Sequence, residues 1–290
     1  MQGRDTAQEQ FQSHDSVLGQ WGIVMRTPHP ALHGVVEQLW HSAGKVAYVR
    51  DRILPRASSY LLINLGPPQY LILPGTPEVR IPFDDVWFSG LYDGPLDTEA
   101  PHGSVLLGVA LCSIGAARLL PMPQTELCNR TTPLADLLGQ SALELRERLL
   151  ETRAVTDRLA IAEHWLLQRC VSGRSIHPLV HWATQRLADS GGDLRTGALA
   201  REAGVSRKHL AGLFGTQVGL TPKVLARVHR FHRVLDLLRS TERLEWSDVA
   251  NRCGYYDQSH LIGDFQQFSG FAPREFSRHA MPDPRSIVLR

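Results

Sequence analysis

The spacing of apolar residues in the last third of the chain predicts two copies of one helix–turn–helix unit. In each copy an apolar segment containing alanine ends at a glycine, and a second segment then carries a leucine and a phenylalanine four residues apart. This spacing places both side chains on one face of a helix. The matching residues are Ala200, Gly204, Leu210, Phe214, Gly219 and Pro222 in the first copy, and Ala250, Gly254, Leu261, Phe265, Gly270 and Pro273 in the second.

The turn within each copy ends in a residue that favours the N-cap of a helix. Ser206 precedes the second helix of the first copy, and Asp257 precedes that of the second copy. The glycine before each cap suits a chain that leaves a helix with positive φ. These signals and the apolar periodicity predict seven helices, at about 177–189, 195–203, 206–217, 222–239, 246–253, 257–268 and 273–279.

Short apolar runs separated by proline and glycine dominate the first half of the chain. The runs at 60–65, 70–73, 86–88 and 105–112 have the length and composition of β-strands, with turn signals between them. A helix is expected earlier, at about 30–41, where apolar residues recur at helical spacing. We therefore predict an α+β chain of two domains, in which the N-terminal domain is a small β-barrel or sandwich.

Two amphipathic helices are predicted at about 133–171, between the strand-rich segment and the helical repeat. Their apolar stripes suit two roles, covering the open side of the sheet domain or pairing with a second subunit, and the sequence does not separate them. Residues 172–175, Ser-Gly-Arg-Ser, indicate a linker between a β-rich domain at 21–171 and a helical domain at 176–280. We expect residues 1–20 to be disordered and residues 281–290 to form a tail.

Charge is distributed unevenly along the chain. Residues 174–290 hold 17 basic and 11 acidic side chains, whereas residues 1–173 hold 14 and 18. A positive half joined to a mildly negative one suits a polyanion-binding domain attached to a domain of another kind. The four cysteines lie far apart, as buried apolar cysteines do in a reducing compartment. No targeting segment or membrane helix is predicted, and we expect a cytoplasmic location.

One run of residues in the second copy resembles a known signature. It consists of Asp248-Val249-Ala250, then Gly254-Tyr255-Tyr256-Asp257-Gln258-Ser259-His260-Leu261, then Phe265, Gly270 and Pro273. The run closely resembles the signature of AraC/XylS-family transcription regulators, and the resemblance covers about residues 176–280. It implies a double helix–turn–helix domain that binds promoter DNA, behind a β-rich domain that senses a small effector. The partners to expect are therefore double-stranded DNA, an unknown effector and RNA polymerase, and a homodimer through residues 133–171 is a further expectation.

The second helix of such a unit can lie in a major groove of DNA while the first helix braces it. We therefore predict DNA contacts by Ser206 and Asp257, where the two recognition helices begin. Base contacts are predicted just after them, for Arg207, Lys208 and Ala211 in the first copy and for Gln258, Ser259 and Ile262 in the second. Phosphate contacts are predicted for Lys223, Arg227, Arg230 and Arg252. The helix at 222–239, about 27 Å long, can hold the recognition helices about one duplex turn (~34 Å) apart.

The chain departs from the family pattern one turn into each recognition helix. Well-known members carry an arginine two places after the positions of Leu210 and Leu261, where this chain has Gly212 and Gly263. A glycine within a helix costs about 0.5–1 kcal/mol relative to alanine. It also offers no side chain to a base. We expect readout to rely instead on first-turn residues and DNA shape, or on a dimer.

The first half of the chain carries no motif of an enzyme, and no cofactor or metal is predicted. His29 and His33 are four residues apart, but the prolines on either side of His29 disfavour a helix there. Aromatic residues of this half are candidates for the wall of an effector pocket, namely Trp40, Tyr60, Trp87 and Tyr92, with Trp21 and Tyr70. The alternative is a filled core in a dimerisation or partner-binding module that has no ligand.

Overall fold

The structure, a computed structural model, describes residues 8–240, 245–282 and 286–289. Its N-terminal domain contains a seven-stranded and a five-stranded antiparallel sheet. The strands of the larger sheet are β1 (Glu9–Ser16), β2 (Gly19–Arg26), β3 (Val36–Val46), β5 (Ser58–Asn64), β8 (Val86–Ser89), β10 (Ser104–Cys112) and β11 (Thr131–Pro133). Those of the smaller sheet are β4 (Arg50–Ile53), β6 (Gln69–Leu73), β7 (Val79–Phe83), β9 (Leu96–Glu99) and β12 (Ser286–Leu289). The spatial orders are β1-β2-β3-β10-β5-β8-β11 and β12-β4-β9-β6-β7, so the predicted two-domain α+β class, with a β-rich N-terminal domain, is confirmed.

Alternation along the strands of the larger sheet sends side chains to two environments. In β5, Leu61 and Ile63 belong to a buried core on the outer face, whereas Tyr60 and Leu62 line a cavity on the inner face. Strands β8 and β10 alternate in the same way. The outer face of the larger sheet therefore packs in a buried core, and its inner face forms part of the wall of a cavity.

Three helices cover the outer face, α2 (Leu134–Leu138), α3 (Gln140–Glu151) and α4 (Val155–Ser172), after a short α1 (Gly115–Leu119). Their apolar stripe, which includes Leu145, Leu149, Leu159 and Leu166, lies in the same buried core as the outward-facing residues of the sheet. Of the two roles left open by the sequence, covering the sheet is the one observed here. The homodimer through this segment stays a prediction.

The helix predicted at 30–41 is wrong. Only Pro30–Leu32 forms a single 3-10 turn, and the chain then enters β3. The pairing of β3 with β10 shifts register between Ala110 and Leu111, so that Val36 faces Leu111 while Gln38 faces Ala110. This bulge leaves the buried residues Val36 and Leu39 three positions apart, which imitates helical spacing in the sequence.

Disorder over residues 1–20 is also wrong for the part that the structure describes. Glu9–Ser16 pairs with Gly19–Arg26 along its whole length, from Glu9↔Arg26 to Ser16↔Gly19. Strand β1 is almost wholly exposed and is held by backbone pairing at the edge of the sheet. Backbone hydrogen bonds need no apolar side chains, which is why composition gave no sign of this strand. Residues 1–7 of the prediction lie outside the described residues.

The C-terminal domain contains the seven predicted helices within the described residues. They are α5 (Pro178–Asp189), α6 (Thr196–Glu202), α7 (Arg207–Gln217), α8 (Pro222–Ser240), α9 (Trp246–Arg252), α10 (Gln258–Ser269) and α11 (Pro273–Phe276). Leu210 and Phe214 anchor one buried core, and Leu261 and Phe265 anchor another. Helix α8 supplies residues to both cores, among them Leu225 to the first and Phe231 to the second.

Both predicted turns have the expected local structure. The Ser206 side chain accepts a hydrogen bond from the backbone N–H of His209 at 3.1 Å, and Asp257 accepts one from His260 at 2.7 Å. Gly204 and Gly254 have φ values of +67° and +75°. These are the helix-ending conformation that favours glycine.

The C-terminal segment expected to be a tail returns to the β-rich domain instead. Strand β12 pairs antiparallel with β4, from Ser286↔Ile53 to Leu289↔Arg50, and forms an edge of the smaller sheet. Ile287 in this strand is completely buried and lies in the core of the second helix–turn–helix unit, together with Leu54 from the end of β4. The chain terminus therefore joins the two domains.

Candidate nucleic-acid interface and cavity

The first turn of each recognition helix is open to solvent. Arg207, Lys208 and His209 are exposed at the start of α7. Gln258, Ser259 and His260 are exposed at the start of α10. The helix dipole favours a phosphate near each of these ends. At α10 the carboxylate of the N-cap Asp257 opposes this effect, whereas the N-cap of α7 is the uncharged Ser206.

The remaining predicted base contacts are placed differently. Ala211 is half-buried on α7, and Ile262 is half-buried against the second core on α10. The two histidines, His209 and His260, occupy matching places in the two copies and were not singled out by sequence reasoning. The signal that could have found them is the repeat itself, because each lies next to the inward leucine, Leu210 or Leu261.

Gly212 and Gly263 lie on the exposed surface of their helices. A Cβ atom added at either position would meet no other atom within 4 Å. Each recognition helix could therefore accommodate a side chain at this position, one turn beyond its first residues, where this chain has glycine.

Arg227, predicted to contact phosphate, is bound within the domain. Its Nε and Nη2 donate to Asp264 Oδ1 at 2.9 and 2.7 Å, and Nη2 also donates to Gln267 Oε1 at 2.6 Å. Arg230 Nη1 donates to the carbonyl of Gly192 at 2.9 Å, and its guanidinium lies 5.2 Å from the ring centroid of Tyr255. Both arginines are thus occupied in holding α8 against its neighbours.

Asp264, which sequence reasoning missed, is the centre of this cluster and is only 4% exposed. It lies on the buried side of α10, three residues after Leu261, among apolar neighbours. A buried carboxylate on the inner face of a helix requires a partner. The sequence could have indicated this, because Asp264 occupies a position in the apolar stripe of α10. Lys223 and Arg252, the other two predicted phosphate contacts, are exposed.

A cavity of about 310 Å³ lies between the two sheets of the β-rich domain. Three of the four predicted pocket residues, Trp40, Tyr60 and Trp87, line it, together with Trp21 and Tyr70. Tyr92 does not line it. Its hydroxyl is 2.8 Å from Thr131 Oγ1, and burial raises the pKa of this phenol.

Strands β4 and β12 separate this cavity from the helical domain. Asp51 and Ile53 of β4 line the cavity, whereas Arg52 points the other way. The Arg52 Nη1 atom donates to the carbonyl of Ser269 at 3.2 Å, at the end of α10. Its guanidinium also lies 5.1 Å from the ring centroid of Phe271. In β12, Ser286 lines the cavity and Ile287 enters the core of the second unit.

Both recognition helices contact the β-rich domain at their C-terminal ends. Gln267 on α10 donates to the carbonyl of Asp93 at 3.3 Å. A Cβ atom at Gly215 on α7 would lie 3.2 Å from Thr125 Cγ2. On the connecting helix α8, His232 Nε2 lies 2.7 Å from the carbonyl of Pro55. Because a carbonyl only accepts, this histidine is the donor and carries its proton on Nε2.

Within the described part of the chain, no group of three or more histidine, cysteine or acidic residues is placed to hold a metal ion. Cys170 and Cys253 are buried, and Cys112 and Cys128 are half-buried. Burial raises the pKa of all four thiols, to about 12 for Cys112 and about 11 for Cys128. Among the described helices, none combines the length and the apolar character needed to cross a membrane.

Two segments of the chain match known protein families. Residues 199–279 match a family described as a helix-turn-helix domain, and residues 25–133 match one described as a domain of unknown function, DUF6597. A comparison with the curated proteins finds no match.

Solved structures similar to this chain include proteins from two bacteria. One is the C-terminal domain of AraT, a response regulator from Geobacillus stearothermophilus, with 27% identity over 38% of this chain and 92% of that one, and a TM-score of 0.34. Another is ToxT from Vibrio cholerae, with 10% identity over 92% of this chain and 97% of that one, and a TM-score of 0.43. A ToxT structure with bound unsaturated fatty acid is 12% identical over 79% of this chain and 90% of that one, with a TM-score of 0.41.

The family match over residues 199–279 spans both copies of the repeated unit, from the first apolar segment to the end of the last helix. It coincides with the residues that carry the AraC/XylS signature, and the two capped recognition helices lie within it. Residues 199–279 are therefore a helix-turn-helix domain, and they carry the run of residues that resembles the AraC/XylS signature.

Proposed function

We propose that this chain is a transcription regulator of the AraC/XylS type that binds a specific DNA sequence through both recognition helices. In this proposal a small molecule in the cavity between the two sheets controls the binding. The observation that carries the proposal is the position of β4 and β12. Each strand gives side chains to the cavity wall and, from its other face or its end, to the second helix–turn–helix unit.

The DNA contacts in this proposal are the exposed first turns of α7 and α10. Arg207, Lys208 and Gln258 contact base edges in successive major grooves, and Lys223 and Arg252 contact phosphates. Helix α8 has 19 residues and is about 28 Å long. This length suits recognition helices spaced by about one duplex turn (~34 Å). Arg227 and Arg230, already bound to Asp264 and Gly192, are left out of the contact surface.

Ligand control in this proposal works through the shared wall. A molecule in the cavity presses on Ile53 and Ser286 from one side, while Leu54 and Ile287 hold the core of the second unit on the other. The ligand shifts the population of DNA-competent arrangements by the difference in its affinity for them. The open cavity favours a ligand-binding role over the alternative of a partner-binding module with a filled core.

The DNA-binding half of the proposal is tested by selecting duplexes from a random pool with the full-length chain. We expect two conserved blocks separated by about one helical turn, and a Kd that rises steeply with salt concentration. Lys208→Ala should relax the preference at one block at a cost of about 1–3 kcal/mol, whereas Lys223→Ala should weaken all sequences equally. Uniform, weak binding with no enriched sequence would refute specific recognition.

A further inference from the structure

We propose that the cavity takes an uncharged, flat aromatic molecule. This inference rests on the proposed function, because it assigns a chemical class to the ligand that would control DNA binding. It is carried by three properties of the described wall: its aromatic surface, the pairing of several of its polar groups with one another, and its lack of a basic residue.

The wall is built mainly from rings. Aromatic side chains come from both sheets and from the loop between β3 and β4: Trp21, Trp40, Tyr48, Tyr60, Tyr70, Phe83 and Trp87. Aromatic pairs favour offset-stacked or edge-to-face contacts, which a ring-shaped ligand can make with several walls at once. An aliphatic chain of equal volume cannot make them.

One part of this wall is flat because of a glycine. The Trp40 indole lies across β10 at Gly108, where an added Cβ atom would come within 2.2 Å of two indole carbons. Trp40 and Gly108 are cross-strand partners, so the ring is held over the sheet and presents its plane to the cavity. With a volume of about 310 Å³, the cavity is at the small end of ligand sites and suits one or two fused rings.

Several polar groups of the wall are paired with one another, whereas the buried indole N–H groups of Trp40 and Trp87 have no hydrogen-bond partner. Thr98 Oγ1 donates to Asp51 Oδ1 at 2.6 Å, and Gln69 Nε2 donates to Ser104 Oγ at 2.8 Å. Thr131 Oγ1 lies 2.8 Å from the Tyr92 hydroxyl and 3.4 Å from Ser89 Oγ. The buried side-chain atoms without a partner in the described wall are therefore these two neutral N–H donors, and neither requires a charged group on the ligand.

Charge in the wall argues against an ionic ligand. Among the described lining residues, Asp51 is the only charged one, and it has interactions beyond its bond with Thr98. The arginines of the smaller sheet do not line the cavity and are paired with acidic residues, Arg50 with Glu78 and Glu99, Arg52 with Asp97, and Arg80 with Glu99. A carboxylate would find no lysine, arginine or histidine among these described residues, and burying an unpaired charge is strongly unfavourable.

The test uses three probes with the same ring system and different charge. Equilibrium dialysis with the full-length protein at neutral pH compares 2-methylnaphthalene, 2-naphthoate and 2-(aminomethyl)naphthalene, which are uncharged, anionic and cationic. We expect the uncharged probe to bind at least about tenfold more tightly than either charged one. A charged probe that binds equally well or better overturns the proposed class, and so does the failure of all three to bind.

A cavity-filling variant locates the binding. Leu106 lines the cavity, and Leu106→Trp should abolish binding of 2-methylnaphthalene, whereas Leu150→Trp on the exposed side of α3 should leave it unchanged. If Leu106→Trp does not unfold cooperatively, Ser42→Leu replaces it as the cavity-filling variant. Binding that survives the filling variant overturns the site. DNA affinity of the same samples is measured separately: probe binding that leaves DNA affinity unchanged contradicts control by ligand and leaves the ligand class standing.

Discussion

The Arg227 guanidinium on the connecting helix lies 2.7 Å from the buried carboxylate of Asp264 on the second recognition helix. These side chains are 17% and 5% exposed. The pair fixes the angle between α8 and α10, because the same arginine also reaches Gln267 one turn further along α10. The orientation of the second recognition helix thus depends on an ion pair within the protein.

Replacing Asp264 by alanine should therefore destabilise the second unit severely. Removing one partner of a buried pair leaves an uncompensated charge and costs about 3–5 kcal/mol. Chemical unfolding of the variant measures this loss, with Glu275→Ala, an exposed change on α11, as the matched control. A loss below about 1 kcal/mol would place the pair among weak surface interactions.

Arginine at the two empty positions should strengthen DNA binding. Gly212→Arg and Gly263→Arg each place a side chain where nothing lies within 4 Å, on the exposed surface of a recognition helix. We expect each to raise affinity for the selected duplex by about tenfold, since a good base contact contributes about 1–3 kcal/mol. Gly212→Ala and Gly263→Ala are the controls, because they gain helix propensity alone. Equal effects of alanine and arginine would show that this surface does not meet DNA.

Ile287 should matter more to the second helix–turn–helix unit than its place near the chain terminus suggests. It is completely buried in that core, and Ile287→Ala should cost about 2–5 kcal/mol. It should also uncouple ligand from DNA, because it weakens the contact between β12 and the helical domain. Val17→Ala, at a residue 94% exposed, is the control for both readouts. An Ile287→Ala variant with unchanged stability and unchanged coupling argues against a role for β12.

Stability should fall in mild acid because of two histidines on α8. Burial lowers the pKa of His229 and His232 to about 4, from an ordinary value of 6.5, with Arg56 adding to the effect at His232. The unfolded chain therefore binds protons first, so that the stabilisation is complete above pH 6.5 and is lost as the pH falls toward 4. At pH 5 the loss is on the order of 2 kcal/mol for each histidine. Urea midpoints at pH 7 and pH 5 measure it, and His232→Asn should reduce the difference.

The helical domain could be predicted closely because its signals are local. The cap residues Ser206 and Asp257 accept hydrogen bonds from backbone N–H groups only three residues further along the chain. In each copy the buried leucine and phenylalanine are four residues apart, about one helical turn. The β-rich domain was predicted only in outline. Because of a bulge in β3, the buried residues Val36 and Leu39 are three positions apart, the spacing expected of a helix. Strand β1 has almost no buried side chain, so apolar patterning did not predict it.

Several contacts escaped prediction because they join distant parts of the chain. Ser286 pairs with Ile53, and Arg227 binds Asp264 thirty-seven residues later. Apolar patterning shows which residues are buried, but not against which element. Trp40, Tyr60 and Trp87, which composition suggested, do line the cavity, whereas the part of the wall made by Pro282 and Ser286 required the fold.

Control of DNA binding by a molecule in the cavity requires linkage between the two sites. The decisive measurement is the Kd for the selected duplex with and without saturating 2-methylnaphthalene, together with the Kd for that probe with and without saturating duplex. We predict that both Kd values change by the same factor, of about fivefold or more, as linkage requires of two sites on one molecule. Ile287→Ala should bring both factors toward one. Tight binding of probe and duplex with no mutual effect would contradict control of this regulator by a molecule in the cavity.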